Sequence, residues 1–263
     1  MDLGLKDKVI MVAGASKGLG FSTAKIAAQE GALVSIGSRN PETIRAAGEA
    51  IASGTGARVE AFELDMSDGE SINSWVDRTL AAFGRIDGVF VNAGGPPAGT
   101  FADFDDSGWQ DAFELTLLSA VRLIRRAAEA MKKNGGGSIL TLTSISVKEP
   151  VPNLILSNVM RSGVVSLVKT ISREFAPYGI RVNNIIPGFF DTERLKNLDA
   201  ITAEAQGKDI QEVKKNRQSA VPLERYGDPD ELGRSAVFLL SPAASYVTGH
   251  SYVIDGGLLH GTM

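Results

Sequence analysis

Short apolar segments alternate along the chain with longer segments in which apolar residues recur at helical spacing. The apolar segments are strand-sized and rich in β-branched residues, and they lie at 9–13, 32–37, 58–64, 87–92, 138–144, 180–186 and 251–255. The helical pattern lies near 18–30, 41–52, 69–83, 107–133, 155–176 and 229–240. Strands joined by helices of this length pair in parallel through right-handed crossovers, and continuously apolar strands are buried on both faces. We therefore predict an α/β three-layer Rossmann fold, a doubly wound parallel sheet of about seven strands with helices on both faces.

One segment does not fit this alternation. Residues 191–220 are polar and charge-rich, and they lie between a strand and the helix that begins near Asp228. An insertion of this length above the carboxyl ends of strands is a candidate substrate lid, although a solvated helical excursion without a gating role has the same pattern. Because no linker or repeat interrupts the rest, we expect a single domain over residues 1–263, with 191–220 as the candidate lid.

The amino-acid composition excludes several kinds of functional site. The 263 residues are 43% hydrophobic and 22% charged, as in an ordinary globular protein, and the formal net charge of -4 gives no general attraction to nucleic acid or anionic membranes. There is no cysteine, and the only histidines are His250 and His260, so we expect no disulfide, no thiolate chemistry and no metal site. There is no leader pattern and no apolar run of about 18 residues, and we expect a soluble cytoplasmic protein.

The first candidate site is the glycine-rich turn AGASKGLG at 13–20, which follows the first strand and leads into an amphipathic helix. Gly14, Gly18 and Gly20 allow a tight turn, close approach of backbone N–H groups to a pyrophosphate, and packing of the helix on the strand. The helix N-terminus adds oriented donors and a positive dipole for the anion. The spacing is G-x-x-x-G-x-G rather than the general G-x-G-x-x-G. At the start of a doubly wound pattern, this turn predicts dinucleotide binding.

The end of the second strand indicates which dinucleotide binds. A site that prefers NAD usually has an acidic residue there for the ribose 2′-hydroxyl, whereas this chain has Gly37-Ser38-Arg39. Arg39 and Ser38 suit a 2′-phosphate, and Lys17 in the glycine turn is placed to reach it from the other side. These residues predict NADP(H) as the cofactor. If both cations are instead solvated surface charges, the phosphorylated and unphosphorylated cofactors should bind equally.

Six motifs, in order and at family spacing, resemble those of the classical short-chain dehydrogenase/reductase family, in particular the 3-oxoacyl-[acyl-carrier-protein] reductases. The resemblance runs essentially from Val9 to Gly257. It implies an oxidoreductase that transfers hydride between NADP(H) and a carbonyl compound or an alcohol. The motifs are AGASKGLG at 13–20, LDMSD at 64–68, VNAGG at 91–95, TSISV at 143–147, RVNNIIPGFFDT at 181–192 and YVTGHSYVIDGG at 246–257.

The resemblance also implies cofactor contacts at the matching positions. Asp65 and Met66 correspond to the pair beside the adenine ring, residues 92–94 to the ribose lining, and the loop 187–192 to the holder of the nicotinamide amide. Each position also has a structural alternative, such as a turn or a tie between strands. The expected cofactor-binding residues are Gly14, Ser16, Lys17, Gly18, Leu19, Gly20, Ser38, Arg39, Asp65, Met66, Asn92, Ala93, Gly94, Arg161, Pro187, Gly188, Phe190 and Thr192.

The catalytic positions depart from the family pattern. The family places a Tyr and a Lys four residues apart on the helix after a Ser-bearing strand. The Tyr donates a proton to the carbonyl oxygen, and the Lys lowers its pKa and holds the nicotinamide ribose. Here Ser144 matches the substrate-polarising Ser, but the Tyr and Lys positions are Ser157 and Arg161, and the family's relay Asn is Thr116. A hydroxyl and a cation remain at i, i+4 spacing, but an alkyl hydroxyl is no substitute for a tunable phenol.

Three functions are compatible with the residues at these positions. The first is a carbonyl–alcohol oxidoreductase in which Ser144 polarises the carbonyl, Arg161 holds the ribose, and Ser157 and Thr116 arrange water. Its proton comes either from Lys148 on the adjoining loop or from a water polarised by Arg161 and Ser144. The second is an NADP(H)-binding sensor or regulatory subunit without dehydrogenase activity. The third is elimination or isomerisation with the cofactor in a structural role.

The resemblance finally implies a homo-oligomer, either a tetramer or a dimer. In the family, segments that match 246–257 and the helices at 107–133 and 155–176 pack between subunits. We expect a small-molecule carbonyl compound or alcohol as the other partner, and neither nucleic acid nor membrane. The apolar residues at 95–97 and 189–190 indicate a partly apolar pocket without identifying the substrate.

Overall fold

The computed structural model describes residues 2–261, and its strands all belong to one parallel sheet. They are β1 (Val9–Ala13), β2 (Leu33–Ser38), β3 (Val59–Glu63), β4 (Gly88–Val91), β5 (Gly137–Leu142), β6 (Ile180–Pro187) and β7 (Ser251–Ile254). The spatial order is β3-β2-β1-β4-β5-β6-β7, with every neighbouring pair parallel, which confirms the predicted α/β fold. Because the order runs outward in both directions from β1 and β4, a crevice opens between their carboxyl ends.

Helices connect the strands and cover both faces of the sheet. They are α1 (Gly18–Gln29), α2 (Pro41–Thr55), α3 (Gly69–Phe83), α4 (Asp106–Ala112), α5 (Ser119–Lys133), α6 (Ile155–Phe175), α7 (Glu193–Gln206), α8 (Ile210–Ser219) and α9 (Pro229–Leu240). Local chemistry explains several of these boundaries. At the start of α2, for example, the Asn40 side chain accepts hydrogen bonds from two first-turn N–H groups, and Gly56 ends the helix in the left-handed conformation.

The two hydrophobic cores lie on opposite faces of the sheet. Along β1, Met11 packs into the core beneath α3, α5 and α6, whereas Ile10 and Val12 pack into the core beneath α1, α2 and α9. All five residues of β1 are buried. This double burial is the reason that the strand is apolar throughout instead of alternating, because a strand has no solvent-facing side when both faces are covered.

The prediction of one helix over 107–133 is wrong in one respect, because that helix is not continuous. The chain begins as α4, passes through a π-helical turn at Phe113–Leu118 and continues as α5. A π turn replaces i to i+4 hydrogen bonds with i to i+5 bonds, which a search for 3.6-residue periodicity does not register. The turn contains the buried Thr116. The other predicted elements agree with the structure within three residues at each end.

The segment 191–220 folds into α7 and α8, which are joined by a turn at Gly207. It is more than a solvated excursion, since Leu195, Asp199 and Val213 are all buried. Asp199 on α7 pairs with Arg217 on α8, which joins the two helices to each other. The role of the segment as a lid stays a prediction.

Two classes of feature are missing from residues 2–261. No helix there is long and apolar enough to cross a lipid bilayer. Nor do any three His, Cys, Asp or Glu side chains in the same residues form a group that suits a metal ion.

Candidate active site

The predicted site residues gather at the carboxyl ends of the central strands. The glycine turn follows β1, Asn92 follows β4, Ser144 lies just beyond β5, and Pro187 is the last residue of β6. These strands are neighbours in the parallel sheet, so their carboxyl ends share one edge. The sheet therefore brings together residues that are far apart in the sequence, at the edge where open α/β folds bind ligands.

The glycine turn leaves no room for side chains. Gly14 has a φ of 63°, and a Cβ there would lie 2.6 Å from the Asn92 side-chain nitrogen. A Cβ on Gly20 would overlap the carbonyl oxygen of Gly14. The first of these constraints fixes the turn, and the second lets α1 start close against it.

The start of α1 is open to an anion. Lys17 occupies the N-cap position, but its side chain accepts no hydrogen bond from the first-turn N–H groups. Gly18 opens the helix with a φ of 60°, and a Cβ there would lie 3.4 Å from the Thr192 methyl group. Uncapped N–H groups at a helix N-terminus bind phosphate well. The cradle formed by Gly14, Ser16, Leu19 and their neighbours therefore fits the diphosphate of a dinucleotide.

The end of β2 carries the residues predicted to recognise a 2′-phosphate. Arg39 is exposed, and among residues 2–261 no carboxylate lies within 4.0 Å of its charged nitrogens. Lys17 instead pairs with Glu193 at the start of α7. Of the two predicted cations, Arg39 is thus the one without an ion pair among residues 2–261, and Ser38 adjoins it as the last residue of β2.

The predicted adenine and ribose positions are well ordered by hydrogen bonds. Asp65 accepts hydrogen bonds from the backbone and side chain of Ser67, which hold the pKa of its carboxyl below the usual range, with a smaller contribution from the Arg39 charge. Met66 beside it is buried. Asn92 donates a 3.3 Å hydrogen bond to the carbonyl oxygen of Ala13, which ties β4 to β1 at the crevice. The structural role predicted as an alternative for Asn92 is therefore present, next to Ala93 and Gly94.

The loop after β6 is fixed at both ends. The backbone N–H of Gly188 donates a 2.9 Å hydrogen bond to Ile254, and a Cβ at Gly188 would lie 2.6 Å from Asp255. Phe190 is buried and bridges to Gly227. Thr192 then caps α7 through a 3.3 Å hydrogen bond from the Leu195 N–H. This loop is positioned beside the glycine turn, as the resemblance implies for a nicotinamide holder.

The reaction end of the site lies on the buried face of α6. Ser157, Met160 and Val164 are buried at helical spacing, and Arg161 is half-buried on the same face. The Ser157 side chain is only 8% exposed. The i, i+4 pair predicted from the sequence therefore does face the body of the protein.

Arg161 is anchored to the end of β5. Its Nη1 donates hydrogen bonds of 3.0 Å and 3.3 Å to the carbonyl oxygens of Leu142 and Thr143. Burial, together with the nearby charge of Arg194, lowers the pKa of Arg161 to about 10, so the guanidinium is still protonated at neutral pH. Two carbonyl dipoles fix this cation beside Ser144, the residue that follows Thr143.

The hydroxyl groups of Ser144 and Thr116 differ in their hydrogen bonds. The Ser144 hydroxyl oxygen accepts a 3.2 Å hydrogen bond from the Ser146 N–H, so its own proton remains free to be donated. Thr116 and Arg161 line a cavity of about 10 Å³, roughly the size of one water molecule. The Thr116 hydroxyl is buried and has no hydrogen-bond partner among the described residues. Ser157 and Ser144 do not line that cavity.

The candidate proton donor Lys148 is exposed on the loop after Ser144, where its backbone N–H bonds to Ile145. The tyrosine nearest in sequence to α6 is Tyr178, which lies just before β6, at the amino ends of the strands and therefore away from the crevice. The Lys132 ammonium sits over its ring.

The sequence interpretation missed a buried polar network that begins on α7, in the candidate lid. Asp199 on α7 is 2% exposed and is paired with Arg217 on α8 at 2.9 Å and with the Tyr226 hydroxyl at 3.0 Å. The Arg217 guanidinium also lies over the Phe189 ring. The only sequence signal was an acidic residue at a buried helical position, with its partners 18 and 27 residues away, a separation at which no local pattern applies.

Arg194 was also missed. It is the second residue of α7, and its Nη2 lies 2.7 Å from the position that a Cβ on Gly95 would occupy. A basic residue two positions after Thr192 was visible in the sequence. What could not be seen was that the lid turns it back over the loop after β4.

Known proteins are similar to this chain in both sequence and fold. A family model described as enoyl-(acyl carrier protein) reductase matches residues 14–259. The 3-oxoacyl-[acyl-carrier-protein] reductase FabG of Chlamydia trachomatis is 31% identical over 97% of this chain and 98% of its own. The L-rhamnose 1-dehydrogenase (NAD(P)(+)) of Azotobacter vinelandii is 34% identical over 97% of both chains.

A solved structure extends the comparison to three dimensions. L-sorbose reductase from Gluconobacter frateurii, complexed with NADPH and L-sorbose, has a TM-score of 0.95 and 30% identity, covering 99% of this chain and 100% of that one. The fold, the glycine turn and the match over residues 14–259 agree with one another. The chain therefore belongs to the short-chain dehydrogenase/reductase family.

Proposed function

We propose that the protein is an NADP(H)-dependent oxidoreductase that interconverts a carbonyl compound and an alcohol by hydride transfer, with a non-standard active site formed by Ser144, Ser157, Arg161 and Thr116. The observation that carries this proposal is the position of Arg161. Its Nη1 is bonded to two carbonyl oxygens at the end of β5, next to Ser144 and one helical turn from Ser157. A fixed cation and a hydroxyl donor thus border the crevice that the glycine turn opens.

The cofactor assignment rests on charge. At the end of β2 the chain offers Ser38 and Arg39 and no carboxylate, which suits a 2′-phosphate and not a free 2′-hydroxyl. The family supports it, since the similar L-sorbose reductase was solved as a complex with NADPH. The crowded contacts of Gly14 and Gly20 add the cradle for the diphosphate.

Each residue has a chemical task in this proposal. Bound NADP(H) supplies or accepts the hydride at its nicotinamide. Ser144 donates its free hydroxyl proton in a hydrogen bond to the carbonyl oxygen, because its oxygen already accepts from Ser146. Arg161 stabilises the negative charge that develops on that oxygen and offers one N–H group to the nicotinamide ribose.

The proton that completes the alcohol comes, in this proposal, from water, and the hydroxide left behind is stabilised by the Arg161 charge until it takes up a proton from solvent. The cavity shared by Thr116 and Arg161 has room for about one molecule, and the Thr116 hydroxyl lacks a protein partner there. A water bonded to both groups would be polarised by the guanidinium. Ser157 is a buried hydroxyl on the same face of α6 as Arg161, but it does not line this cavity.

The lid completes the site. In the proposal, α7 and α8 close the crevice over the substrate and exclude water. The Asp199–Arg217–Tyr226 network supports this because it holds the two helices as one unit. The Lys17–Glu193 pair then joins that unit to the glycine turn.

A second candidate function is an NADP(H)-binding sensor or regulatory subunit without dehydrogenase activity. One observation favours it. No Tyr in the 263 residues is followed four positions later by Lys, so the family's usual acid and its supporting cation are both missing. Tight cofactor binding without turnover on any carbonyl compound would select this function.

We also propose that the protein is a homotetramer or a homodimer. The Tyr246 side chain is fully exposed, and Tyr252 on β7 is 40% exposed. An apolar groove of about 250 Å³ runs between α5 and α6 and is lined by side chains such as Leu167 and Phe175. These are the segments expected at subunit interfaces. Light scattering at micromolar concentration checks the proposal, and a monomer would contradict it.

The experiment that tests the function combines binding with turnover. Calorimetric titrations with NADPH and NADH are followed by NADPH oxidation on a panel of ketones, aldehydes and keto acids. We expect tighter binding of NADPH and turnover of at least one substrate. The double variant Ser157→Tyr, Arg161→Lys restores the family's pair, and we expect it to speed hydride transfer on the same substrate by roughly 10²-fold or more. No turnover beside tight NADPH binding contradicts the oxidoreductase and supports the sensor.

A further inference from the structure

Two arginines from different elements converge on Gly95, in the loop that follows β4. Arg194 reaches there from the start of α7, and Arg161 reaches there from α6. Their Nη2 atoms lie 2.7 Å and 3.8 Å from the position that a Cβ on Gly95 would occupy, so the two nitrogens are no more than about 6.5 Å apart. Because Gly95 has no side chain, the space between the two guanidinium groups stays open.

This pair of cations lacks a protein counter-charge. In residues 2–261 neither Arg161 nor Arg194 has a carboxylate within 4.0 Å of its guanidinium nitrogens. Glu193, the acidic residue nearest in sequence, is paired with Lys17. Arg161 uses Nη1 on the carbonyl oxygens of β5, which leaves Nη2 facing Arg194.

Like charges held this close disfavour each other unless an anion lies between them. Burial, together with the nearby Arg194 charge, lowers the pKa of Arg161 to about 10, so Arg161 still carries its charge at neutral pH. Two planar guanidinium groups present several N–H donors in the geometry that carboxylate and phosphate oxygens accept. The site is therefore suited to one anionic group.

The pair lies near the ends of β4 and β5, whereas the diphosphate cradle lies at the end of β1, although Arg194 is only two residues from Thr192 of that cradle. The cradle lies at the glycine turn after β1 and beside Thr192, whereas Gly95 follows β4 and Arg161 is anchored at the end of β5. Ser144, the predicted carbonyl-polarising residue, also follows β5. An anion held by the two arginines would thus belong to the molecule whose carbonyl group faces Ser144.

We propose that Arg161 and Arg194 bind the carboxylate or phosphate group of the substrate, and that the enzyme acts on anionic carbonyl compounds. This substrate class rests on the proposed oxidoreductase function. Because Arg194 is the second residue of α7, the bound anion also draws the start of the lid against Gly95. Substrate charge and lid closure are then coupled through one side chain.

The test uses malonate as the anion probe and does not depend on turnover. Malonate is titrated by calorimetry into the full chain, with and without NADP⁺, at constant ionic strength. We expect Arg194→Gln to weaken malonate binding by about 10- to 100-fold and Arg194→Lys to recover part of it. The matched control is Arg45→Gln on α2, an exposed arginine near Glu49, which should leave malonate binding unchanged. Equal malonate affinity in wild type and Arg194→Gln overturns the proposal.

A second titration identifies the source of the anion. We expect the NADPH dissociation constant to be the same in wild type and Arg194→Gln. A loss of NADPH affinity that matches the loss of malonate affinity would assign the arginines to the cofactor's diphosphate and overturn the substrate proposal. Thermal melting confirms that the variant is folded, as expected for an exposed side chain.

Turnover provides the third measurement. On matched pairs of keto acids and their methyl esters, we expect Arg194→Gln to raise KM for the acids about 10-fold or more and to leave the esters unchanged. Equal effects on acids and esters contradict the proposal. If wild type binds malonate but neither binds NADPH nor reduces any carbonyl compound, the oxidoreductase function has failed and the anion site has not.

Discussion

The glycine turn after β1 and the buried face of α6 border the same crevice, but they constrain their residues in different ways. In the turn, a Cβ on Gly14 would lie 2.6 Å from Asn92, and one on Gly20 would overlap the backbone, so glycine is required by contact. On α6, the helix presents Ser157 and Arg161 at the usual spacing, and the backbone is the same whichever side chains occupy those positions. The first region fixes the identity of its residues through packing, and the second fixes only their direction.

This difference explains why cofactor binding follows from the fold, whereas the reaction depends on which side chains are present. A dinucleotide cradle is made of backbone N–H groups and missing side chains, so the fold itself supplies most of it. Hydride transfer to a carbonyl needs a proton donor, which is a property of side chains alone. A chain can therefore keep the cradle and the helix while its chemistry changes.

The largest expected effect comes from a substitution in the glycine turn, where packing requires glycine. Gly20→Val should abolish measurable NADPH binding and lower the free energy of unfolding by about 1–3 kcal/mol, because the new side chain overlaps the turn. Calorimetry and thermal melting measure the two effects. The control is Gly54→Ala in α2, where a Cβ meets no atom within 4 Å, so binding and stability should be kept. Normal NADPH affinity in Gly20→Val would show that the turn does not hold the cofactor.

The next largest effect is on the rate of hydride transfer and not on cofactor binding. Ser144→Ala should slow hydride transfer by about 10²–10³-fold, because one hydrogen bond to the developing charge is lost. The NADPH dissociation constant should not change. Ser53→Ala, an exposed serine on α2, is the matched control. Stopped-flow absorbance of NADPH gives the rate, and an unchanged rate in Ser144→Ala would remove this residue from the mechanism.

Arg39 gives a smaller effect on the cofactor side. Arg39→Ala should weaken NADPH binding by about 10- to 100-fold and leave NADH binding unchanged, because only NADPH carries the 2′-phosphate. The ratio of the two dissociation constants is the measurement. If both cofactors bound more weakly by the same factor, the arginine would be contributing general charge and not phosphate recognition.

The last prediction concerns α7 and α8, the candidate lid. Tyr226→Phe removes the 3.0 Å hydrogen bond to the buried Asp199 carboxylate and should cost about 1–3 kcal/mol. Hydrogen exchange should become faster in α7 and α8 first. Tyr178→Phe, at a half-exposed position between α6 and β6, is the control and should change neither stability nor exchange. Equal exchange in Tyr226→Phe and wild type would mean that this network does not hold the lid.

The sequence predicted the fold and the place of the site because both depend on short-range patterns. Apolar strands such as β1 and the glycines after it can be recognised within a few residues, and the parallel order follows from their alternation with helices. The pair Ser157 and Arg161 was placed on one helical face by spacing alone, and the structure buries that face.

The rest depends on contacts that no local pattern encodes. The π turn around Thr116 differs from an α-helix only in its hydrogen bonds. The Asp199–Arg217 pair joins two helices of the lid, and Arg194 meets Gly95 across about a hundred residues of chain. Such partners are set by how helices pack in three dimensions, so they became visible only in the structure.

The most direct test of the account is the pH dependence of hydride transfer in a single turnover at saturating NADPH. Ser144, Ser157 and Thr116 do not titrate in water, and Arg161, with a pKa near 10, keeps its charge below that pH. We therefore predict a rate that is constant from about pH 6 to 9 and that falls only as Arg161 loses its proton near pH 10. A titration within the range from about 6 to 9, abolished by Lys148→Met, would contradict the account and assign the proton to a titrating side chain.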